Sequence, residues 1–125
     1  MAQVLGIGGV FFKATDPGAV KDWYRRVLGF DITDWGGVIF KPAEGAMQVW
    51  SPFAATSDYF APSTLPFMIN LRVDDLDGLI EQVRREGVEP LGAEDQGAMG
   101  RFAWLLDPAG VKVELWQPAP ETPGS

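Results

Sequence analysis

Val111-Lys112-Val113-Glu114-Leu115-Trp116-Gln117-Pro118 decides how this chain is read. Val111, Val113 and Leu115 alternate with Lys112, Glu114 and Trp116, the period of a strand whose two faces differ. The valine–leucine face suits packing on a helix. The other face sets a carboxylate beside a large aromatic, which suits a pocket better than a core. A second stretch has the same pattern: Met47-Gln48-Val49-Trp50-Ser51-Pro52. Trp50 matches Trp116, Pro52 matches Pro118 and Gln48 matches Glu114. The chain therefore reads as two copies of one unit.

The flanking sequence supports the duplication. Phe12-Lys13-Ala14-Thr15-Asp16 parallels Leu71-Arg72-Val73-Asp74-Asp75. After the first, Asp16 is a helix N-cap and Pro17 fits the first helical position. Val20, Trp23, Tyr24, Val27 and Leu28 fall on one helical face, and Gly29 ends the helix. After the second, Asp74-Asp75 opens a helix with Leu76, Leu79, Ile80 and Val83 on one side, closed by Gly87. Three strands are expected after each helix. In the first unit they are Phe30 to Thr33, Val38 to Lys41 and Ala46 to Ser51, with a turn at Asp34 to Gly37. In the second they are Val88 to Leu91, Arg101 to Leu106 and Val111 to Gln117, with Gly92 to Gly100 as a loop. Asp107-Pro108-Ala109-Gly110 is a turn with a stereochemical basis, because proline presets one backbone angle and glycine tolerates a positive one. The expected first strands are Leu5 to Ala14 and Phe67 to Val73.

The predicted architecture is α+β. Two tandem β-α-β-β-β units, 5–52 and 67–118, form a curved mixed sheet with helices outside and a concave cup inside. A linker, 53–66, joins them, and 119–125 is a tail, all within one domain, 1–125. Phe53, Tyr59 and Phe60 are large for a solvent loop. They either pack over the sheet edge or form a lid over the cup.

Composition narrows the chemistry. The chain has 125 residues and is 46% hydrophobic, enough for one domain with a core. It contains neither cysteine nor histidine. This removes disulfides, thiolate nucleophiles, Ser-His triads and histidine–zinc sites. Acid–base chemistry must then use Asp, Glu, Lys, Tyr or water. The absence of cysteine makes the cytoplasm the default compartment, and no secretory signal is evident at the N-terminus. The formal net charge of −7 disfavours nucleic acid and anionic membranes as partners.

This order of elements resembles the vicinal oxygen chelate superfamily, which includes glyoxalase I, extradiol dioxygenases and the fosfomycin and bleomycin resistance proteins. The resemblance runs from about Gly6 to Pro118. It is most specific in Trp23-Tyr24-Arg25 with Leu28-Gly29, and in Asp107-Pro108-Ala109-Gly110 with Val113-Glu114-Leu115. It implies four metal-ligand positions, which fall on Gly9, Gln48, Met68 and Glu114. Of these only Glu114 keeps a carboxylate. Gln48 offers an amide oxygen, Gly9 has no side chain, and the Met68 thioether suits hard divalent ions poorly. A catalytic metal site takes about three protein ligands. No metal or other cofactor is therefore expected, and a divalent ion held by Gln48, Glu114 and waters is the alternative.

Strand parity assigns Phe11, Gln48, Trp50, Met68, Asn70 and Trp116 to the cup with Glu114, and Arg101 and Tyr59 complete the expected ligand-binding set. Aromatic walls suit planar or cationic ligands. The expectation is a small-molecule-binding protein, similar to the bleomycin resistance proteins, that holds an aromatic or cationic ligand. The alternative is a lyase or isomerase using Glu114 as acid or base, with Tyr59 as a second proton carrier. A structural or regulatory role without a ligand is a third reading. The resemblance also implies a homodimer.

Overall fold

The computed structural model describes residues 9–41, 45 and 48–120. Two helices and four strands are formed among them. Helix α1 spans Pro17–Leu28 and helix α2 spans Leu76–Arg85. The strands are β1 (Met68–Arg72), β2 (Gly92–Asp95), β3 (Arg101–Leu106) and β4 (Lys112–Gln117). The sheet order is β1-β4-β3-β2. β1 and β4 run parallel, and the other two pairings are antiparallel.

Both helices begin as the sequence dictates. The Asp16 carboxylate accepts from the Ala19 amide, with Pro17 in the first turn, and Asp75 accepts from Gly78. Gly29 closes α1 with a φ of 71°, a conformation that glycine adopts without steric cost. Their apolar faces lie on one face of the sheet. Val20, Trp23, Tyr24 and Val27 from α1 and Leu76 and Val83 from α2 pack with Ala103, Leu105, Val113 and Leu115. Leu115 is fully buried, which is worth roughly 1.5–3 kcal/mol relative to exposure.

One polar contact fixes the β3–β4 turn to the first helix. The Tyr24 hydroxyl donates to Asp107 Oδ2 at 2.6 Å. Asp107 Oδ1 accepts the Ala109 and Val111 amides at 2.8 and 2.9 Å. This turn sets the register of the hairpin, and so places Trp104 opposite Glu114.

Two expectations are corrected. The strand expected at Val88 to Leu91 lies further on, at Gly92–Asp95. Pro90 has no amide hydrogen to give a ladder, and pairing begins where the Leu91 amide donates to the Trp104 carbonyl at 2.7 Å. The glycine-rich loop after it contains only the short 3-10 turn Gly97–Met99. The second correction concerns the first unit. Residues 9–14, 30–33, 38–41 and 48–51 carry no strand pairing among the described residues, and 5–8, 42–44 and 46–47 lie outside them. The turn itself forms, with Thr33 and Gly37 joined by a 2.9 Å backbone bond. An isolated hairpin is marginal without a third strand; among the described residues Phe30 packs on Tyr24 of α1 and on Phe40, but no strand pairs beside it.

Candidate functional site

On β4, Val113 and Leu115 enter the core, so Lys112, Glu114 and Trp116 point to the face away from the helices. Register then assembles that face. Asn70 and Trp104 flank Glu114, Met68 and Leu106 flank Lys112, and Arg72 and Phe102 flank Trp116. Glu94 on β2 lies opposite Phe102.

Glu114 is the hub. It is 6% exposed. Asn70 Nδ2 donates to its Oε1 at 2.7 Å, and Trp104 Nε1 donates to its Oε2 at 2.7 Å. The Tyr59 hydroxyl also donates to Oε2. Hydrogen bonds to an ionised acceptor are about twice as strong as neutral ones, so three of them fix the carboxylate firmly. Burial first, and then the bond to Glu114 and its charge, push the Tyr59 phenol up to about 12. It is therefore a neutral donor at ordinary pH.

Lys112 is buried beside this carboxylate. Its ammonium donates to the Tyr59 carbonyl at 2.6 Å. It lies 5.1 Å from the Tyr59 ring centre and 5.5 Å from that of Trp104, within cation–π range of both. Burial lowers its pKa, while the charges of Glu114 and Asp58 act the other way. The segment before β1 thus lies over the sheet face rather than along its edge. Phe53 stacks on Tyr59 and packs at a tilt on Phe60, Phe60 meets Tyr59 edge-on, and Tyr59 meets Trp104 edge-on with centres 6.3 Å apart. Ser63 anchors the far end of the segment to the Gly110 carbonyl at 2.5 Å.

Beside Glu114 runs a strip of three aromatic rings. Phe102 lies parallel to Trp104, with centres 6.4 Å apart and planes 9° apart. It is also parallel to Trp116, at 6.3 Å and 12°. Trp116 is seated by a bond from its Nε1 to the Met99 carbonyl at 2.8 Å. Gly100 makes this seat possible. A Cβ there would come 2.4 Å from the Gln117 carbonyl oxygen and 2.9 Å from Trp116 Nε1, at a φ of +108°.

The structure brings together Glu114, Asn70, Met68, Trp116 and Tyr59 from the expected set. Phe11 and Trp50 are 90% and 79% exposed, and Gln48 and Gly9 are exposed as well, in contrast to the 6% exposure of Glu114. Arg101 is on the helix side of β3, where its guanidinium bridges Asp77 at 2.5 and 3.1 Å. Parity alone separates it from Glu114, because Arg101, Ala103 and Leu105 share a face. Trp104, Phe102 and Lys112 are the site residues that the sequence reading left out. The same alternation applied to Arg101–Leu106 puts Phe102 and Trp104 on the Glu114 face.

No helix among the described residues is long and apolar enough to cross a membrane. A solved structure of TnmS3, an antibiotic binding protein from Streptomyces sp. CB03234, matches 85% of this chain and 89% of its own at 25% identity and a TM-score of 0.53. A glyoxalase/bleomycin resistance protein from Catenulispora acidiphila matches 85% of this chain and 92% of its own, at 25% identity and a TM-score of 0.51. The CFP32 protein of Mycobacterium bovis is 28% identical over 120 residues, which are 86% of this chain. The chain spans only 44% of that relative's length. The family model for the Glyoxalase/Bleomycin resistance protein/Dioxygenase superfamily matches residues 6–115, nearly the full length, and to that superfamily the chain belongs.

Proposed function

We propose that this protein binds a small aromatic molecule at the β3–β4 face and does so without a metal ion. The observation that carries the reading is the parallel strip of Trp104, Phe102 and Trp116 beside a carboxylate whose neighbours are already fixed. Phe102 is itself buried, so the faces offered to a planar group are those of the partly exposed Trp104 and Trp116 on either side of it. The likeness to an antibiotic-binding protein supports the same class of activity.

The donor set argues against a divalent ion. Glu114 offers about four lone-pair sites, and Tyr59, Asn70 and Trp104 take three. The Lys112 ammonium adds a positive charge beside it. Met68 contributes only a thioether. We derive no step through a metal. The test is elemental analysis of protein purified without added metal, together with intrinsic tryptophan fluorescence during titration with planar aromatic compounds. Saturable quenching from metal-free protein is expected. One tightly held divalent ion per chain, lost together with binding, would sink the reading.

One contact favours a second reading, a lyase or isomerase. The Tyr59 hydroxyl sits directly on the Glu114 carboxylate, a pair across which a proton can move. Mass spectrometry of ligand recovered after prolonged incubation separates the two readings: a binder returns it unchanged.

We also propose a cytoplasmic homodimer. Phe11, Trp35, Ile39, Phe40, Val49 and Trp50 are all more than 60% exposed, large apolar side chains that a partner surface would cover. The strand patterns of the first half, unpaired among the described residues, match those of the second, so a second copy is the occupant that complements them. Sedimentation equilibrium is expected to give twice the 13.6 kDa chain mass. A monomer at high protein concentration would end this part of the proposal.

A further inference from the structure

Within the binding role proposed above, the geometry points to a site that takes planar aromatic compounds bearing an acidic or acceptor oxygen and discriminates against cations. An aromatic cluster around a carboxylate ordinarily attracts cations. Here the chain supplies its own. The Lys112 ammonium occupies the cation position over both Tyr59 and Trp104. It is buried and held by the Tyr59 carbonyl, so a ligand cation would have to evict it. Glu114 offers little compensation. It is 6% exposed and already accepts from Tyr59, Asn70 and Trp104.

The accessible charge on the Trp116 side of the strip is also positive. Arg72 lies beside Trp116 in the β1–β4 register and is exposed. It has no ion pair or side-chain hydrogen bond to any other described residue. A ring stacked against Trp116 therefore presents its substituents to a guanidinium, which favours carboxylate, phenolate or carbonyl oxygen. Two other anions border the face. Asp58 acts on Lys112, and Glu94, exposed on β2 opposite Phe102, acts on Tyr59 and is separated from Trp116 by the Phe102 strand. The chain's net charge of −7 slows the approach of anions. That long-range field is screened over roughly 10 Å at 0.1 M salt, so contact with Arg72 decides the bound state.

The test uses three tricyclic probes of one shape: 9-aminoacridine, which is cationic, neutral acridone, and acridone-4-carboxylate. Each is titrated calorimetrically into the full chain. The carboxylate is expected to bind about tenfold tighter than the aminoacridine, with acridone between them. Arg72→Gln, at an exposed position, should bring the carboxylate to the level of acridone. Lys112→Met vacates the cation position and should strengthen aminoacridine binding by about threefold. Circular dichroism of each variant checks that it is folded. Equal or tighter binding of the aminoacridine by the unaltered protein would overturn the inference while leaving the aromatic-binding role intact. Binding of none of the three would overturn both.

Discussion

The two halves of this chain carry matching patterns and reach different states. In the second half, alternation becomes a four-stranded sheet with a buried face on α2 and three parallel aromatic rings on the other. In the first half, α1 forms and packs, but the segments around it carry no strand pairing among the described residues. The difference is in partners. β4 lies between β1 and β3, so both of its edges are bonded. Ile39, Phe40 and Val49 have comparable alternation, and they stay 63–71% exposed. Alternation specifies which face a residue would take. Only neighbouring strands make that face pay off in burial.

Core truncation gives the largest effect and tests this contrast directly. Leu115→Ala removes a fully buried side chain from the middle of the sheet and should cost about 2–5 kcal/mol in urea denaturation. Ile39→Ala, at 67% exposure within one chain, should shift the stability of the monomer, measured at low protein concentration, by no more than about 0.5 kcal/mol. A similar loss at both positions would mean that the first half has a core of its own in solution.

A pair of glycines sharpens the contrast. Gly100 and Gly45 both have positive φ, +108° and +78°. A Cβ at Gly100 meets the Gln117 carbonyl oxygen at 2.4 Å, whereas nothing lies within 4 Å of one at Gly45. Gly45→Ala should cost about 1 kcal/mol, from backbone strain alone. Gly100→Ala adds the steric conflict and should cost about 2–3 kcal/mol. It should also unseat Trp116, visible as a shifted tryptophan emission and weakened probe binding. If the two variants matched, backbone conformation alone would explain both.

The same contrast shows how much of the molecule was legible. Both helices were, because Asp16-Pro17 and Asp75 are local signals whose partners lie within one turn. Glu114 was legible as well, since alternation along β4 isolates it from Val113 and Leu115. Trp104 and Phe102 required one more step. The turn held by Asp107 fixes which β3 residue faces Glu114, and that pairing is a matter of register rather than composition. Lys112 was visible on the right face, but its position over two rings depends on Tyr59 arriving from 53 residues upstream, a placement that no local period encodes. Phe11 and Trp50 show the converse. Their parity is correct for a cup, yet parity has no consequence until a strand is paired.

Two phenols join the first part of the chain to the second, and their titration gives the last and smallest test. Tyr24 donates to Asp107 and Tyr59 donates to Glu114, so each rests on a carboxylate of the β3–β4 hairpin or its turn. Burial, reinforced in each case by that carboxylate, raises both phenols. Tyr59 reaches about 12, and Tyr24 moves in the same direction. These are the chain's two tyrosines. Ultraviolet phenolate absorbance should therefore show no ionisation in the folded protein near pH 10, where free tyrosine titrates. The sign of the linkage follows. The folded-state pKa lies above the unfolded one, so the contribution to stability is complete below about pH 10 and is lost as pH rises through the folded value. Urea midpoints should stay level up to about pH 10 and fall above it. Tyr59→Phe keeps the ring against Trp104 and removes the donor to Glu114. It should abolish the step near 12, at a cost of about 1 kcal/mol at neutral pH. A tyrosine titrating at its ordinary value in the folded protein would show that one phenol has left its carboxylate, and comparison with Tyr59→Phe would identify which.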